Sequence, residues 1–239
     1  MLSKNEIKDI QSLSHKKFRK ALKLFVAEGP KVVGELMQLV PEQIEKIYAT
    51  EEWTPSIPGF EKKLILVSPG ELERITSLKT PNQVLALVRF FDEKGPLSQE
   101  FTLYLDTIQD PGNLGTIIRT ADWFGIRQVV CNEGCADLYN SKVVQSTMAS
   151  IARVSVYYDD GSWLKKQEGP VYAAALDGRS IYDYEKKIKG VLVIGNESKG
   201  ISEEVLAYCT EKITIPSKGG AESLNAAVAA GIILSHLVG

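Results

Sequence analysis

Apolar and polar positions along this chain fall into two periods, and each change of period marks an element. Leu24-Phe-Val-Ala27, Ile44 to Tyr48, Leu64 to Val67 and Val84 to Arg89 are apolar runs of strand length. Between them, Ser3-Lys-Asn-Glu6 has capping-box spacing and opens a helix through Ile7 and Ile10. Gly29-Pro30 opens another through Val32, Val33, Leu36 and Leu39, with proline at a tolerated early position, and Glu71 to Leu78 forms a third. Strands alternating with helices predict a small α/β unit, whose one marked turn is Glu28-Gly-Pro30.

The alternation stops at Asp92 to Glu100, a polar stretch containing Gly95-Pro96, which divides the chain into domains 1–94 and 95–239. It resumes with strands at Phe101 to Leu105, Gln128 to Cys131, Arg153 to Tyr157, Val171 to Leu176, Val191 to Ile194 and Lys212 to Ile215, and a helix from Leu114 to Phe124. That outline predicts a parallel α/β sheet, in which ligands sit beyond the carboxyl ends of the strands. Three unusual loops lie at such ends: Asp106 to Asn113, Gly195 to Gly200 and Pro216 to Glu222. A last helix, Ala226 to Leu237, is apolar nearly all round and predicts burial. Its small residues Ala226, Ala227, Ala229, Ala230 and Gly231 also suit close approach of a second helix at a dimer interface.

With 239 residues, 44% hydrophobic and 24% charged, the composition is that of an ordinary globular protein. No run reaches the ~18 apolar residues of a membrane span, and Met1-Leu-Ser-Lys-Asn-Glu6 lacks a signal peptide's apolar region, so a cytoplasmic location is expected. Cys131, Cys135 and Cys209 have neither the number of a disulfide framework nor zinc spacing, and no metal is expected. Although the formal net charge is −2, residues 1–23 carry a net +5. That cluster, with Phe18 inside it, is either a solvated helix face or a phosphate-binding patch.

Each candidate loop has a plain reading beside a chemical one. Asn113 precedes the helix and could simply cap it, and Arg119, about a turn and a half in, could be a surface residue. Gly195-Asn-Glu-Ser-Lys-Gly200 has the glycine spacing of a phosphate loop, but Ile201 stands where lysine is required. Gly195 offers close backbone approach to a ligand, with Glu197 either at the rim or favouring a following helix N-terminus. In the third loop Gly219 and Gly220 give backbone freedom, and Ser223 is a preferred N-cap for a helix starting near it. No nucleophile elbow supports a serine hydrolase, and His15 and His236 pair with no acid or nucleophile motif.

Taken in order, Asn113-x-Gly115-x3-Arg119, Gly195-Asn196-Glu197-x2-Gly200, and Ile215-Pro216 followed by Glu222-Ser-Leu-Asn225 resemble the three motifs of the SpoU (TrmH-like) RNA ribose 2′-O-methyltransferases. The resemblance spans residues 106–230. Lys17-Phe-Arg19 and Phe25-Val-Ala-Glu28-Gly29 are similar, more loosely, to an L30e-like substrate-binding domain found before it in many members.

The resemblance implies a SPOUT fold with a deep trefoil knot, S-adenosylmethionine held among the knot loops, and a homodimer. It implies cofactor contacts at Gly195, Ile215, Leu224 and Ser223, and polar active-site roles for Asn113, Arg119, Glu197, Ser223 and Asn225. The family often has methionine after Ile-Pro, where Ser217 stands here. Lys16, Lys17, Arg19 and Lys20 become the expected RNA contacts. The substrate implied is structured RNA, with ribosomal RNA favoured over transfer RNA. Two alternatives stay open: a knotted enzyme that methylates a base, and a non-catalytic RNA-binding homologue.

Overall fold

The computed structural model describes residues 1–92, 95, 101–185 and 189–238. The chain divides into two compact units, one of Met1–Asp92 with Asp137–Ala152 and one of Glu93–Ala136 with Arg153–Gly239. Of the boundary expected at 94/95, residue 94 lies outside the described residues. Placement of Asp137–Ala152 with the first unit was not legible in the chain's order.

The first unit contains α1 (Lys4–Ser12), α2 (Lys16–Leu22), β1 (Leu24–Glu28), α3 (Pro30–Leu39), β2 (Ile44–Ala49), β3 (Leu64–Leu66), α4 (Pro69–Ile75) and β4 (Val84–Arg89). Its sheet has the order β1-β4-β2-β3, antiparallel except for the β2–β3 pair. Ile7, Ile10, Leu72 and Ile75 from α1 and α4 meet Tyr48, Leu85 and Leu87 from the sheet in one core, each side chain worth about 1.5–3 kcal/mol when buried.

The capping box expected at Ser3 is half made. Ser3 Oγ accepts from the Glu6 N–H at 3.1 Å, but Glu6 Oε1 instead accepts from Tyr48 Oη at 2.8 Å and Lys46 Nζ at 3.1 Å. The Tyr48 hydrogen bond holds the Glu6 carboxyl below its usual range, while burial and Glu6 push the Tyr48 phenol up. A complete box stands at Ser68 and Glu71. Glu28 is buried, its carboxylate accepting from Thr76 Oγ1 and from the Ser77 N–H and Oγ, so the marked turn is a structural clasp.

The second unit contains β5 (Thr102–Asp106), α5 (Pro111–Trp123), β6 (Gln128–Asn132), β7 (Ser155–Asp159), β8 (Val171–Ser180), β9 (Val191–Gly195), α7 (Glu203–Leu206), β10 (Glu211–Thr214) and α8 (Ala226–Leu237), while α6 (Ser141–Thr147) belongs to the first. Its six strands run in the order β10-β8-β9-β5-β6-β7, every neighbouring pair parallel. Central β5 and β9 are buried along their length, apart from half-buried Gly195, which accounts for their continuous apolar runs.

Between β8 and β10 the register jumps: Lys212 pairs with Ala173, but Ile213 pairs with Arg179. A Cβ on Gly178 would lie 2.6 Å from the Ile213 backbone, so only glycine fits this crossing. α8 packs on α5 and β9. Ala226, Ala227 and Ala230, expected to suit a second helix, are buried within the subunit. Among the described residues no helix is long and apolar enough to cross a membrane.

Candidate active site at the carboxyl ends of the strands

One expected helix start and one expected helix cap are corrected. α5 begins at Pro111, three residues earlier than the sequence reading, because Asp110 caps it by accepting from the Asn113 N–H at 2.9 Å. Asn113 therefore lies inside the first turn rather than capping it, and Arg119 is past the second turn. α8 begins at Ala226, and its cap is Asn225 rather than Ser223: Asn225 Oδ1 accepts from Ala227 and Val228 N–H at 3.0 and 3.3 Å.

With those ends fixed, one residue from each loop converges. Asn113 donates its side-chain amide to Glu197 Oε1. Its carbonyl oxygen Oδ1 accepts from Asn225 Nδ2 at 2.9 Å. Asn113, Glu197 and Asn225 thus form a continuous polar chain across 112 residues of sequence. Glu197 Oε2 makes no hydrogen bond among the described residues, leaving one carboxylate oxygen free to accept.

Arg119 and Ser223 are not part of this chain. Both are exposed and have no hydrogen-bond or charge partner among the described residues. Gly195 is required by the backbone around it: an added Cβ would lie 2.4 Å from the Gly200 carbonyl carbon, so the returning loop occupies that space. Asn196 and Gly200 exchange backbone hydrogen bonds at 3.0 and 2.9 Å, and Gly200 sits at φ +70°.

The segment after β10 has the donor set that a nucleoside cofactor needs. Residues 216–225 are exposed, and among the described residues no backbone–backbone hydrogen bond involves 216–224. Half-buried Ile215, just before this segment, and exposed Leu224 within it supply apolar side chains next in sequence to these open N–H and C=O groups. Backbone donors and acceptors with an apolar wall fit adenosine. A separate cleft of about 230 Å³ is lined by Tyr104, Asn132, Glu133, Asp159, Ser202 and Tyr208 among others. It contains none of the expected cofactor contacts.

Asp106, Asn132, Asn196 and Ser202 are residues that the sequence reading missed as parts of the site's frame. Their signal was position only, at the ends of strands or beside a motif residue. Asn196 Nδ2 donates to the Thr107 carbonyl at 2.9 Å, and the Ser202 N–H donates to Asp106 Oδ2 at 2.6 Å. Among the described residues, no group of three or more His, Cys, Asp or Glu side chains is placed to hold a metal ion.

On α2, Lys16, Lys17 and Lys20 are exposed beside exposed Phe18 and Leu22. Arg19 is a correction: it is 3% exposed, pairs with Asp137, and donates to the Leu13 and Ser14 carbonyls at 2.7 and 2.8 Å. Helical spacing turns it inward from the lysine face, and its guanidinium has no surface left for RNA.

An open parallel sheet with its polar network and free backbone loop past the carboxyl ends of β5, β9 and β10 is an α/β enzyme domain of the nucleoside-cofactor type. The SpoU rRNA methylase family profile matches residues 100–235, and an MRM3-like substrate-binding domain profile matches 4–86. The chain belongs to the SpoU rRNA methylase family. It is 33% identical to the 23S rRNA (guanosine(2553)-2′-O)-methyltransferase RlmP of Bacillus subtilis, over 99% of this chain and 98% of that protein. Among solved structures, a TrmH-family protein from Porphyromonas gingivalis superposes with a TM-score of 0.88 at 38% identity, covering 99% of this chain and 98% of that one. An AdoMet-bound rRNA methyltransferase from Sinorhizobium meliloti gives 0.86 at 29% identity, covering 99% and 95%.

Proposed function

We propose that this protein transfers a methyl group from S-adenosylmethionine to a ribose 2′-hydroxyl of structured RNA, with ribosomal RNA favoured over transfer RNA. The observation that carries the reading is the joining of Asn113, Glu197 and Asn225, one from each motif loop, in a member of the SpoU rRNA methylase family. The B. subtilis relative named as a 23S rRNA 2′-O-methyltransferase supports the substrate class.

Gly195, Ile215, Ser223 and Leu224 would hold the cofactor, Ser223 and Leu224 through the open backbone described above. When bound, it supplies the methyl group, which passes from a sulfonium sulfur to the ribose oxygen as the hydroxyl proton leaves. The chain's task is alignment and charge control. Glu197, held by Asn113, offers Oε2 to the ribose hydroxyl. Arg119, a forked guanidinium with no side-chain partner among the described residues, clamps a substrate phosphate and steadies negative charge developing on the oxygen. Asn225 fixes Asn113 and the start of α8, and Ser223 faces substrate and cofactor.

The knot belongs to the same reading. It is supported by the tight crossing of Gly178 against Ile213 and by the return of α8 onto β9 and α5, and a knot is an exception to ordinary chain connection. The four-stranded first unit would be the L30e-like domain, its α2 lysines Lys16, Lys17 and Lys20 meeting RNA phosphates. Homodimerisation is supported by exposed Leu176, Tyr182 and Val228, apolar side chains that a partner would cover. A cytoplasmic location goes with the RNA substrate.

Calorimetric titration with S-adenosylmethionine tests the cofactor site. Wild type is expected to bind and a Leu224→Trp variant, which fills the wall beside the open backbone, is expected not to. Equal binding by both proteins would move the cofactor elsewhere.

A further inference from the structure

The carboxylate of Asp106 is 1% exposed and has no cationic partner among the described residues. It is satisfied entirely by hydrogen bonds from three directions. Oδ1 accepts from Thr107 Oγ1 at 3.0 Å and from Asn132 Nδ2 at 2.5 Å, and Oδ2 accepts from the Ser202 N–H at 2.6 Å. Asn132 in turn uses Oδ1 to accept from the Thr107 and Gly134 N–H groups at 2.9 and 3.1 Å. An unpaired buried carboxylate is costly unless such donors replace water. All three donors are therefore held to it.

One of these links, together with a bond from Asn196 to Thr107, decides where Glu197 stands. The loop from Gly195 to Ser202 leaves β9 and is tied at its far end by the Ser202 bond to Asp106. Near its start it is tied by Asn196 Nδ2 to the Thr107 carbonyl. Thr107 is a non-glycine residue at φ +60°, a left-handed conformation that L side chains adopt at a cost. Its N–H and side chain both bond within the Asp106–Asn132 pair, which holds it there. Both anchors of the Glu197 loop thus rest on residues 106 and 107, the same segment that leads into Asn113.

We infer that the Asp106–Asn132 pair is a positioning device for the transfer reaction, setting the Glu197 carboxylate against Asn113 without touching substrate or cofactor. This inference rests on the functional reading above. Asp106→Asn replaces one acceptor with a donor, so either Asn132 Nδ2 or the Ser202 N–H loses its partner. Exchanging the two residues, Asp106→Asn with Asn132→Asp, leaves every group with a partner: residue 106 donates to residue 132 and to Thr107 Oγ1 and still accepts from the Ser202 N–H, while residue 132 still accepts from the Thr107 and Gly134 N–H groups and takes the Thr107 hydroxyl in place of residue 106. Ser202→Pro removes the third donor alone, at a residue whose φ of −64° proline adopts.

The test measures kcat and KM for methyl transfer in the full-length wild type, the Asp106→Asn variant, the exchanged pair and the Ser202→Pro variant. It also records the side-chain amide NMR signal of Asn113, which reports its bond to Glu197. The single Asp106→Asn variant should lose about a hundredfold in kcat, with KM for the cofactor within a few-fold and the Asn113 signal displaced. The exchanged pair should recover most of both, and Ser202→Pro should resemble the single variant. Normal kcat with an unmoved Asn113 signal in Asp106→Asn overturns the inference, as does an exchanged pair no better than the single variant. Should Asp106→Asn fail to fold, an unchanged Asn113 signal in Ser202→Pro overturns it. A wild type that methylates no RNA contradicts the functional reading, while the amide signals alone still decide whether the pair positions Glu197.

Discussion

Asn225 donates its side-chain amide to Asn113 Oδ1 over 2.9 Å while its own Oδ1 caps α8. One side chain therefore serves stability with one end and the site with the other. Asn225→Asp keeps the capping oxygen and loses the amide donor, whereas Asn225→Ala loses both. Thermal melting should show the aspartate variant near wild type and the alanine variant about 1 kcal/mol less stable. Methyl transfer should fall strongly in both. An aspartate variant with full activity would remove the Asn113 link from the mechanism.

Arg119 is exposed and unpartnered among the described residues, so its removal should cost the fold little. Arg119→Ala should change stability by less than about 0.5 kcal/mol and lower turnover by a factor on the order of 100, with cofactor affinity little changed. Arg119→Lys should recover only part, because an ammonium lacks the forked geometry for phosphate. Calorimetry and single-turnover rates measure the two effects separately.

The basic segment divides into two kinds of residue. Replacing Lys16, Lys17 and Lys20 with alanine should leave melting unchanged and flatten the salt dependence of RNA binding. Arg19→Ala should instead destabilise the first unit by about 3–5 kcal/mol, since Asp137 would be left without its partner. Equal effects from the two replacements on RNA affinity at matched folded fraction would contradict this division.

Much of this was legible in the chain, and the losses have physical causes. β4 and α8 fall where the apolar pattern placed them, and the three loops were found from glycine and proline chemistry after apolar runs. The convergence of Asn113, Glu197 and Asn225 followed from the resemblance, since residues 112 positions apart have no local pattern. The cap of α8 went to Asn225 because both residues are good caps and only the backbone angles choose between them. Arg19 lay unseen in its basic run because burial depends on a partner, Asp137, far along the sequence. Asp106 and Asn132 gave no signal beyond position, since each ends an ordinary apolar strand and their pairing is made only by the fold.

Glu71 connects the first unit's stability to pH. Its carboxylate accepts from the Ser68 N–H and Oγ, each at 3.0 Å, and from the Leu2 N–H at 2.6 Å, and these bonds hold its pKa down at about 2. A carboxyl depressed on folding stabilises above its unfolded pKa, about 4.3, and loses that contribution as pH falls toward the folded value. The melting difference between wild type and Glu71→Gln should therefore be steady above pH 5 and shrink between about pH 4.3 and 2. A difference unchanged across that range would contradict it.

The most direct measurement incubates the protein with methyl-labelled S-adenosylmethionine and ribosomal RNA, digests the RNA to nucleosides and identifies the labelled product. The account predicts label in a 2′-O-methylribonucleoside, present with wild type and lost with Arg119→Ala. Label on a base would make this a base methyltransferase, and RNA that is bound without acquiring label would leave an RNA-binding protein without turnover.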